Sequence, residues 1–132
     1  MRHGPVADLP IACNLRTIGT PEAKREDGLT YAQFWLRYLQ AHGQPKTRAL
    51  HYCGSILALA ALAVAAVMAD WRWVIAAPVV GYAFAWAAHF GIEHNKPETF
   101  GHPFWSLASD YRMLMLFLMG RLGPHLQRAG VS

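Results

Sequence analysis

The amino-acid sequence predicts an all-α membrane protein, built from a transmembrane helical hairpin plus amphipathic helices. Hydrophobic residues make up 54% of the 132 residues and charged residues only 15%, whereas a soluble domain is about 45–50% apolar and about 25% charged. Two apolar runs, 49–69 and 74–92, have the length of a membrane-spanning helix. Only residues 70–73 separate the runs, so the spans are expected to lie antiparallel, with Trp71 and Trp73 at the membrane interface.

An amphipathic helix is predicted before the hairpin, over residues 30–42. Thr30 and Gln33 have the spacing of a capping box. Apolar and aromatic side chains then recur at helical intervals, namely Tyr31, Phe34, Trp35, Tyr38 and Leu39. Pro45 is expected to break the chain after this helix, which would lie on the membrane surface or cover the helical bundle.

The two apolar runs differ from the helices of a small soluble bundle, which is the alternative architecture. The run 49–69 is uncharged when His51 is neutral and is apolar on all sides, which favours lipid over a water-exposed face. The run 74–92 contains Pro78 and Gly81, residue types that are more frequent in membrane helices than in soluble ones. Small residues on both runs would allow close packing, namely Ala58, Ala61, Ala65, Ala85 and Ala88.

A third apolar segment, 104–119, contains Asp110 and Arg112 and is shorter than a comfortable span. We expect it to form a helix that packs against the hairpin or dips into the membrane interface. The sequence leaves open whether this helix crosses the membrane.

The chain is predicted to form one helical domain over 29–125, with a flexible N-terminal tail, 1–28, and a C-terminal tail, 126–132. The net charge is +4, but the basic residues flank the apolar runs instead of forming a patch, which argues against nucleic-acid binding. By the positive-inside rule, this distribution places both termini in the cytoplasm. No signal peptide is visible, and richness in Ala, Arg and Trp indicates a GC-rich bacterial genome, so a bacterial inner membrane is the expected location.

Residues 89–110 concentrate coordinating and proton-handling side chains directly after an apolar run. The stretch HFGIEHNKPETFGHPFWSLASD holds three histidines, two glutamates, one asparagine and one aspartate. Polar side chains at membrane depth are costly, so they usually face the bundle interior and serve a function. This stretch is therefore the candidate functional site.

Two histidines are expected at the same depth in the hairpin. His51 precedes the centre of the turn by 20 residues and His89 follows it by 18, a difference of about 3 Å along an α-helix. Glu93 lies one turn beyond His89 on the same helix face, and the turn at Pro45 would fold His42 back over the mouth of the hairpin. Histidines with a carboxylate and an open position suit non-haem Fe(II) and dioxygen, although ordinary hydrogen-bonded histidines at the interface are the alternative interpretation.

The chain also resembles a known family in two stretches, FWLRYLQAHGQPKTRALHYCG (34–54) and GYAFAWAAHFGIEHNKPETFGHPFWSLASDYRM (81–113), and in the apolar link between them. It is similar there to the small membrane proteins whose characterised fungal member is a 2-hydroxy fatty acid dioxygenase. The resemblance covers about 80 of the 132 residues and leaves out the N-terminal tail.

The resemblance implies an enzyme of fatty acid α-oxidation that depends on Fe(II). A 2-hydroxy fatty acid and dioxygen would give the acid one carbon shorter, which in fungi serves the breakdown of phytosphingosine. The histidines that are thought to hold the iron match His42, His51, His89 and His102. Other characteristic polar positions match Glu93, Asn95 and Asp110. Their roles stay open between an additional ligand, orientation of a ligand, and binding of the substrate's carboxylate and hydroxyl.

Under this hypothesis the partners are a 2-hydroxy fatty acid, dioxygen and membrane lipid. The acyl tail would lie among the apolar helices while the carboxylate and the 2-hydroxyl chelate the iron. Lys46 or Arg48 would attract the anionic head group. The lipid source and the chain length stay open, because many bacteria make little or no phytosphingosine.

Two other classes of function remain compatible with the sequence. His51 and His89 at matched depth suit the axial ligands of a haem-binding or electron-transfer protein, which would pair two hairpins in a homodimer. A non-enzymatic membrane scaffold would use the polar stretch to bind a partner or lipid head groups. For the case that His42 lies too far away, a core of His51, His89 and Glu93 is the alternative ligand set.

Overall fold

The computed structural model describes residues 28–131, so the tail predicted over 1–28 lies outside the described residues apart from Gly28. The described part of the chain is helical and contains no strand, which confirms the all-α class. In chain order its elements are α1 (Tyr31–Ala41), α2 (Pro45–Met68), α3 (Arg72–Ala88), a π-helical segment (His89–Glu93), a 3-10 turn (Glu98–Phe100), α4 (Pro103–Leu118) and α5 (Gly123–Arg128).

Helix α1 begins at the predicted capping box and covers the bundle. The Gln33 backbone N–H donates a hydrogen bond to the Thr30 hydroxyl at 3.3 Å, and the Thr30 N–H donates one to the Gln33 side chain at 3.0 Å. The buried face of α1 consists of Phe34, Trp35, Tyr38 and Leu39. This face joins one hydrophobic core with α4 and the residues after it, namely Met113, Leu114, Leu122 and Ala129.

Helices α2 and α3 form the predicted antiparallel hairpin. Pro45, which we expected to break the chain after α1 and turn it back, is the first residue of α2, a position where proline loses no helical hydrogen bond. Ala69 closes α2 in a left-handed conformation with φ 51°. By length and composition, the helices Pro45–Met68 and Arg72–Glu93 are long and apolar enough to cross a membrane.

Small residues bring the backbones of α2 and α3 close together. A Cβ atom added to Gly54 would lie 2.8 Å from the Cβ of Phe84 and 3.2 Å from the carbonyl oxygen of Gly81. The alanines predicted to allow this packing are all buried, namely Ala58, Ala61, Ala65, Ala85 and Ala88. The close contact sets the register of the two helices, and with it the depth of the side chains that face each other.

The end of α3 departs from the straight α-helix that the sequence predicted. Residues His89–Glu93 form a π-helical turn, and His94 follows in a left-handed conformation with φ 54°. The Asn95 N–H then donates a hydrogen bond to the carbonyl oxygen of His89 at 3.1 Å. Single π-helical turns occur frequently at functional sites. Here the wider turn removes Glu93 from the α-helical register on which its predicted position relative to His89 depended.

The third apolar segment, predicted over 104–119, forms α4. This helix packs against α1 and α2, and it does not belong to the two candidate spans found within residues 28–131. Helix α5 returns the chain to α1, where the Gln40 side chain donates a hydrogen bond to the carbonyl oxygen of Ala129 at 3.1 Å. Ala129 follows the domain boundary predicted at 125 and is buried in the core.

Candidate metal centre

Three histidines from different elements meet where α1, α2 and the π-helical segment come together. His42 ends α1, His51 lies in α2, and His89 begins the π-helical segment. All three are buried, and one nitrogen from each lies within 4.8 Å of the others. Their ring centroids are 4.3 to 5.2 Å apart. His51 and His89 therefore lie at the same depth, as expected. His42 folds back to the same point.

The corner between α1 and α2 is fixed by a buried cation. The Arg48 guanidinium donates hydrogen bonds from Nη1 to the carbonyl oxygens of His42 at 2.9 Å and Gly43 at 2.8 Å. These carbonyls end α1 and have no partner within that helix. Arg48 therefore stabilises the chain reversal that turns His42 toward the hairpin. Its guanidinium binds the backbone carbonyl oxygens of this corner.

The Nδ1 atom of each histidine contacts a hydrogen-bond acceptor. His42 Nδ1 lies 2.6 Å from the carbonyl oxygen of Tyr38, and His51 Nδ1 lies 2.8 Å from Asp110 Oδ1. His89 Nδ1 lies 2.7 Å from Asn95 Oδ1. Carbonyl and carboxylate oxygens only accept, so each Nδ1 must carry the proton and donate. In the neutral ring this leaves Nε2 as the nitrogen with a free lone pair.

Asn95 has its orientation set by a second bond. Its Nδ2 group donates to the carbonyl oxygen of Ala41 at 3.1 Å, so its Oδ1 atom is the one that faces His89. The side chain thus links the end of α1 to the π-helical segment. It orients the His89 ring without approaching the point where the three rings converge.

The spacing of two ring nitrogens suits a shared metal ion. His42 Nε2 and His51 Nε2 are 3.1 Å apart, and when both rings are neutral with the proton on Nδ1, neither Nε2 atom has a hydrogen to donate. A bound cation would stabilise these facing lone pairs. Bonds of the length found between zinc and imidazole, about 2.0–2.1 Å, place two ligand nitrogens roughly 3 Å apart. Imidazole suits Zn, Cu, Fe and Ni alike, so the donors fit a divalent transition metal without selecting one.

Burial keeps His42 in the form that can bind a metal. Its side chain is fully buried, and desolvation, followed by the nearby His51 and His89, lowers the pKa of His42 well below its usual value of 6.5. The ring is therefore neutral at physiological pH. Metal ions bind the neutral imidazole.

Tyr38 supports two of the three histidines, a role that the sequence did not reveal. Its hydroxyl donates to Asp110 Oδ1, the atom that also accepts from His51. Its ring stacks on His42 with centroids 4.0 Å apart, and its carbonyl accepts from His42 Nδ1. Burial and the Asp110 carboxylate raise the pKa of Tyr38, so the hydroxyl keeps its proton. The only sequence signal is the spacing of one helical turn between Tyr38 and His42.

Glu93 lies near the centre but points to another partner. Its Oε1 atom accepts from the Gln44 backbone N–H at 2.8 Å, and the Gln44 side chain donates to the carbonyl oxygen of Ile92 at 3.2 Å. Glu93 therefore caps the start of α2, where an anion also interacts well with the helix dipole. His42, and not Glu93, completes the group with His51 and His89.

His102 is the predicted ligand that the fold does not bring to this group. It precedes α4, and its ring packs against Phe34 at 5.5 Å and stacks on Trp105 at 5.1 Å between centroids. Among the described residues, the cluster with metal-ligand spacing consists of His42, His51 and His89 alone. Of the seven predicted site residues, these three meet directly, and Asp110 and Asn95 hold two of them.

A cavity of about 260 Å³ opens beside the centre. His51 and Asp110 form part of its wall, and the remaining lining comes from α2, α3 and α4. The centre thus has an adjoining space between the helices, and most of that space is apolar. The arrangement can hold a metal ion at one end and an apolar group beside it.

Comparison with known proteins adds one finding to this geometry. Neither the curated proteins nor the solved structures include a match to this chain. A model of one protein family matches residues 29–122, which include all seven predicted site residues and exclude the N-terminal tail. Because the match covers most of the sequence, the chain belongs to the 2-hydroxy-palmitic acid dioxygenase Mpo1-like family.

Proposed function

We propose that this protein is an Fe(II)-dependent dioxygenase of fatty acid α-oxidation, which converts a 2-hydroxy fatty acid and dioxygen to the acid one carbon shorter. The observation that carries the proposal is the convergence of three buried histidines beside a mostly apolar cavity, in a chain of this family. The atoms balance when the carboxyl carbon leaves as carbon dioxide and one water forms.

Each residue of the centre has a defined task under this proposal. His42, His51 and His89 would hold Fe(II) through Nε2, and Asp110 and Asn95 keep two of these rings in the required tautomer and orientation. Fe(II) would supply the electron transfer that lets dioxygen react with an organic acid. Glu93 and His102 act outside the ligand set, on the start of α2 and on the aromatic core.

We place the protein in a membrane, with the centre at the cytoplasmic face. The two long apolar helices support the membrane location, and a fatty acid substrate would be dissolved in the same bilayer. His51 lies near the beginning of α2 and His89 near the end of the second span, so both are close to one face. Lys46 and Lys96 flank these ends, and the positive-inside rule assigns such ends to the cytoplasm.

The test is turnover by purified protein loaded with different metals. Detergent-purified protein is stripped of metal, loaded anaerobically with Fe(II) or Zn(II), and given 2-hydroxypalmitate and air. The proposal predicts oxygen uptake and an acid one carbon shorter with Fe(II) only, and neither product nor uptake in Fe(II)-treated His89→Ala. A haem absorption band in the purified protein, or turnover that survives in His89→Ala, would contradict the proposal.

A further inference from the structure

One face of α2 runs from the metal centre into the apolar part of the hairpin. His51, Ser55, Ala58 and Leu62 recur at intervals of four, three and four residues, so they lie on the same side of the helix. All four line the cavity of about 260 Å³. From His51 to Leu62 the helix rises about 16 Å, which gives the length of the cavity wall along α2.

Helix α3 forms the opposite wall in a fixed register. His51 lies beside His89, and a Cβ atom on Gly81 would lie 3.7 Å from the Cβ of Ala58. The same antiparallel register brings Ala77 opposite Leu62, and Ala77 also lines the cavity. Leu62 and Ala77 therefore mark the end of the cavity that is farthest from the centre.

The two ends of the cavity differ in polarity. Near the centre the wall carries His51 and Asp110, with the hydroxyl-bearing side chains of Ser55 and Tyr111, and Tyr82 of α3 adds a hydroxyl-bearing side chain in the middle. At the far end the hairpin contributes only apolar groups, including Leu62. A ligand that fits both ends has one polar head and one apolar tail.

The middle of the cavity runs past a close approach of α2 and α3. Ala58 and Gly81 face each other there, and a Cβ atom on Gly81 would lie 3.7 Å from the Cβ of Ala58, so no chain passes between these two residues. An acyl chain would instead lie beside this contact, between the hairpin and the α4 side chains that line the cavity, Leu107 and Tyr111.

We propose that this cavity binds the acyl chain of the substrate, with the carboxylate end at His51 and Asp110 and the methyl end at Leu62. Leu62 is then a residue that determines chain-length specificity. The inference rests on the proposed function for the identity of the head group. The position of the tail follows from the polarity and register of the walls.

Leu62 can be tested against a neighbour on the same helix. Its side chain is 41% exposed, and that of Leu59, which does not line the cavity, is 47% exposed. Leu62→Ala extends the far end of the cavity, Leu62→Phe shortens it, and Leu59→Ala is the matched control. Removal or addition of one methylene in an apolar pocket changes selectivity about tenfold or more.

The experiment measures binding and turnover for saturated 2-hydroxy acids of increasing chain length. Binding is followed by displacement of a fluorescent fatty acid, and turnover as kcat/KM with Fe(II)-loaded protein. In both measurements we expect Leu62→Ala to favour longer acids over the acid that wild type prefers by about tenfold. Leu62→Phe should favour shorter acids, and Leu59→Ala should keep the wild-type profile.

The binding measurement separates this inference from the proposed function. If acids bind with a length dependence that Leu62 controls but none is turned over, the proposed function fails and the acyl site stands. If turnover proceeds and neither Leu62 variant changes the length profile, the acyl site is wrong and the proposed function stands. If Leu62→Ala and Leu59→Ala change the preferred chain length equally, the assignment of Leu62 to the end of the acyl site is also wrong.

Discussion

His42 Nε2 and His51 Nε2 lie 3.1 Å apart, and in neutral rings whose Nδ1 atoms carry the protons neither Nε2 atom has a hydrogen. Their Nδ1 protons are committed to the Tyr38 carbonyl oxygen and to the Asp110 carboxylate. Two lone pairs in contact in a buried site are unfavourable unless a cation lies between them. This relationship is the physical reason to expect a metal ion at these rings.

Removal of any ring of the centre should abolish iron binding. We expect His42→Ala, His51→Ala and His89→Ala to retain little iron after anaerobic loading and desalting. Each variant keeps only two of the three imidazoles, and two imidazoles bind iron more weakly than three. His102→Ala is the matched control, since its ring packs on Trp105 outside the cluster, and it should retain iron as wild type does. Metal analysis per chain checks this, and loss of iron in His102→Ala would show that the ligand set extends to that residue.

Metal removal should destabilise the fold. A metal ion that binds only the folded state stabilises it by about 2.7 kcal/mol at a concentration one hundred times its Kd. Addition of Fe(II) to stripped protein in detergent should therefore raise Tm, and Mg²⁺, which prefers oxygen ligands, should not. The same titration on His89→Ala serves as the control. An equal rise in Tm for that variant would mean that the stabilising ion binds elsewhere.

Asp110→Ala should weaken metal binding without removing a ligand. The carboxylate orients His51 through Nδ1, and loss of such a partner typically costs 10- to 100-fold in metal affinity. Asp110→Asn keeps an oxygen that can accept from both His51 and Tyr38, so its affinity should fall less. Competition with a chelator measures both affinities. Unchanged affinity in Asp110→Ala would contradict the assigned orienting role.

Tyr38→Phe should reduce metal affinity less than Asp110→Ala does. The variant keeps the ring on His42 and the backbone carbonyl that accepts from Nδ1, and it loses only the hydroxyl that donates to Asp110. Loss of a hydrogen bond to a charged group costs about 1.5–3 kcal/mol. Denaturant unfolding of the metal-free protein should show a decrease of that size. A loss of metal affinity as large as that of Asp110→Ala would assign Tyr38 a stronger role.

Gly54→Ala should force the hairpin apart. The added Cβ would lie 2.8 Å from Phe84 Cβ, whereas the matched variant Gly81→Ala would meet only an ordinary contact of 3.7 Å with Ala58. Overpacking of this kind costs typically about 1–3 kcal/mol. Gly54→Ala should therefore lower both Tm and iron retention, because His51 and His89 depend on the helix register. Equal Tm values for the two variants would contradict the close packing at Gly54.

The hairpin and its matched histidines could be predicted because they depend on regular geometry. The depth of a side chain in the hairpin follows from the number of residues between it and the turn. This count alone places His51 and His89 side by side. The burial of Ala58 and Ala85 also followed from residue size. These features are local or repeat with the helical period, so one sequence is enough to locate them.

The placements that differ from expectation lie where the backbone leaves that period. The π-helical turn at His89–Glu93 and the left-handed His94 changed the direction of the following side chains. Glu93 thus became a cap for α2. The turn at Pro45 was expected to fold His42 back, but the sequence did not reveal that Pro45 itself is the first residue of α2. The hydrogen bond between Tyr38 and Asp110 joins residues 72 positions apart. No periodic pattern in the sequence predicts a contact over that distance.

Iron-edge X-ray absorption of the Fe(II)-loaded protein, with and without 2-hydroxypalmitate, tests the central claim most directly. The claim is that His42, His51 and His89 hold one iron whose remaining positions accept the substrate. We predict a spectrum with three imidazole ligands, in which the substrate changes only the oxygen ligands and leaves the imidazoles in place. A porphyrin-like environment, or an iron spectrum that substrate leaves unchanged, would contradict the account.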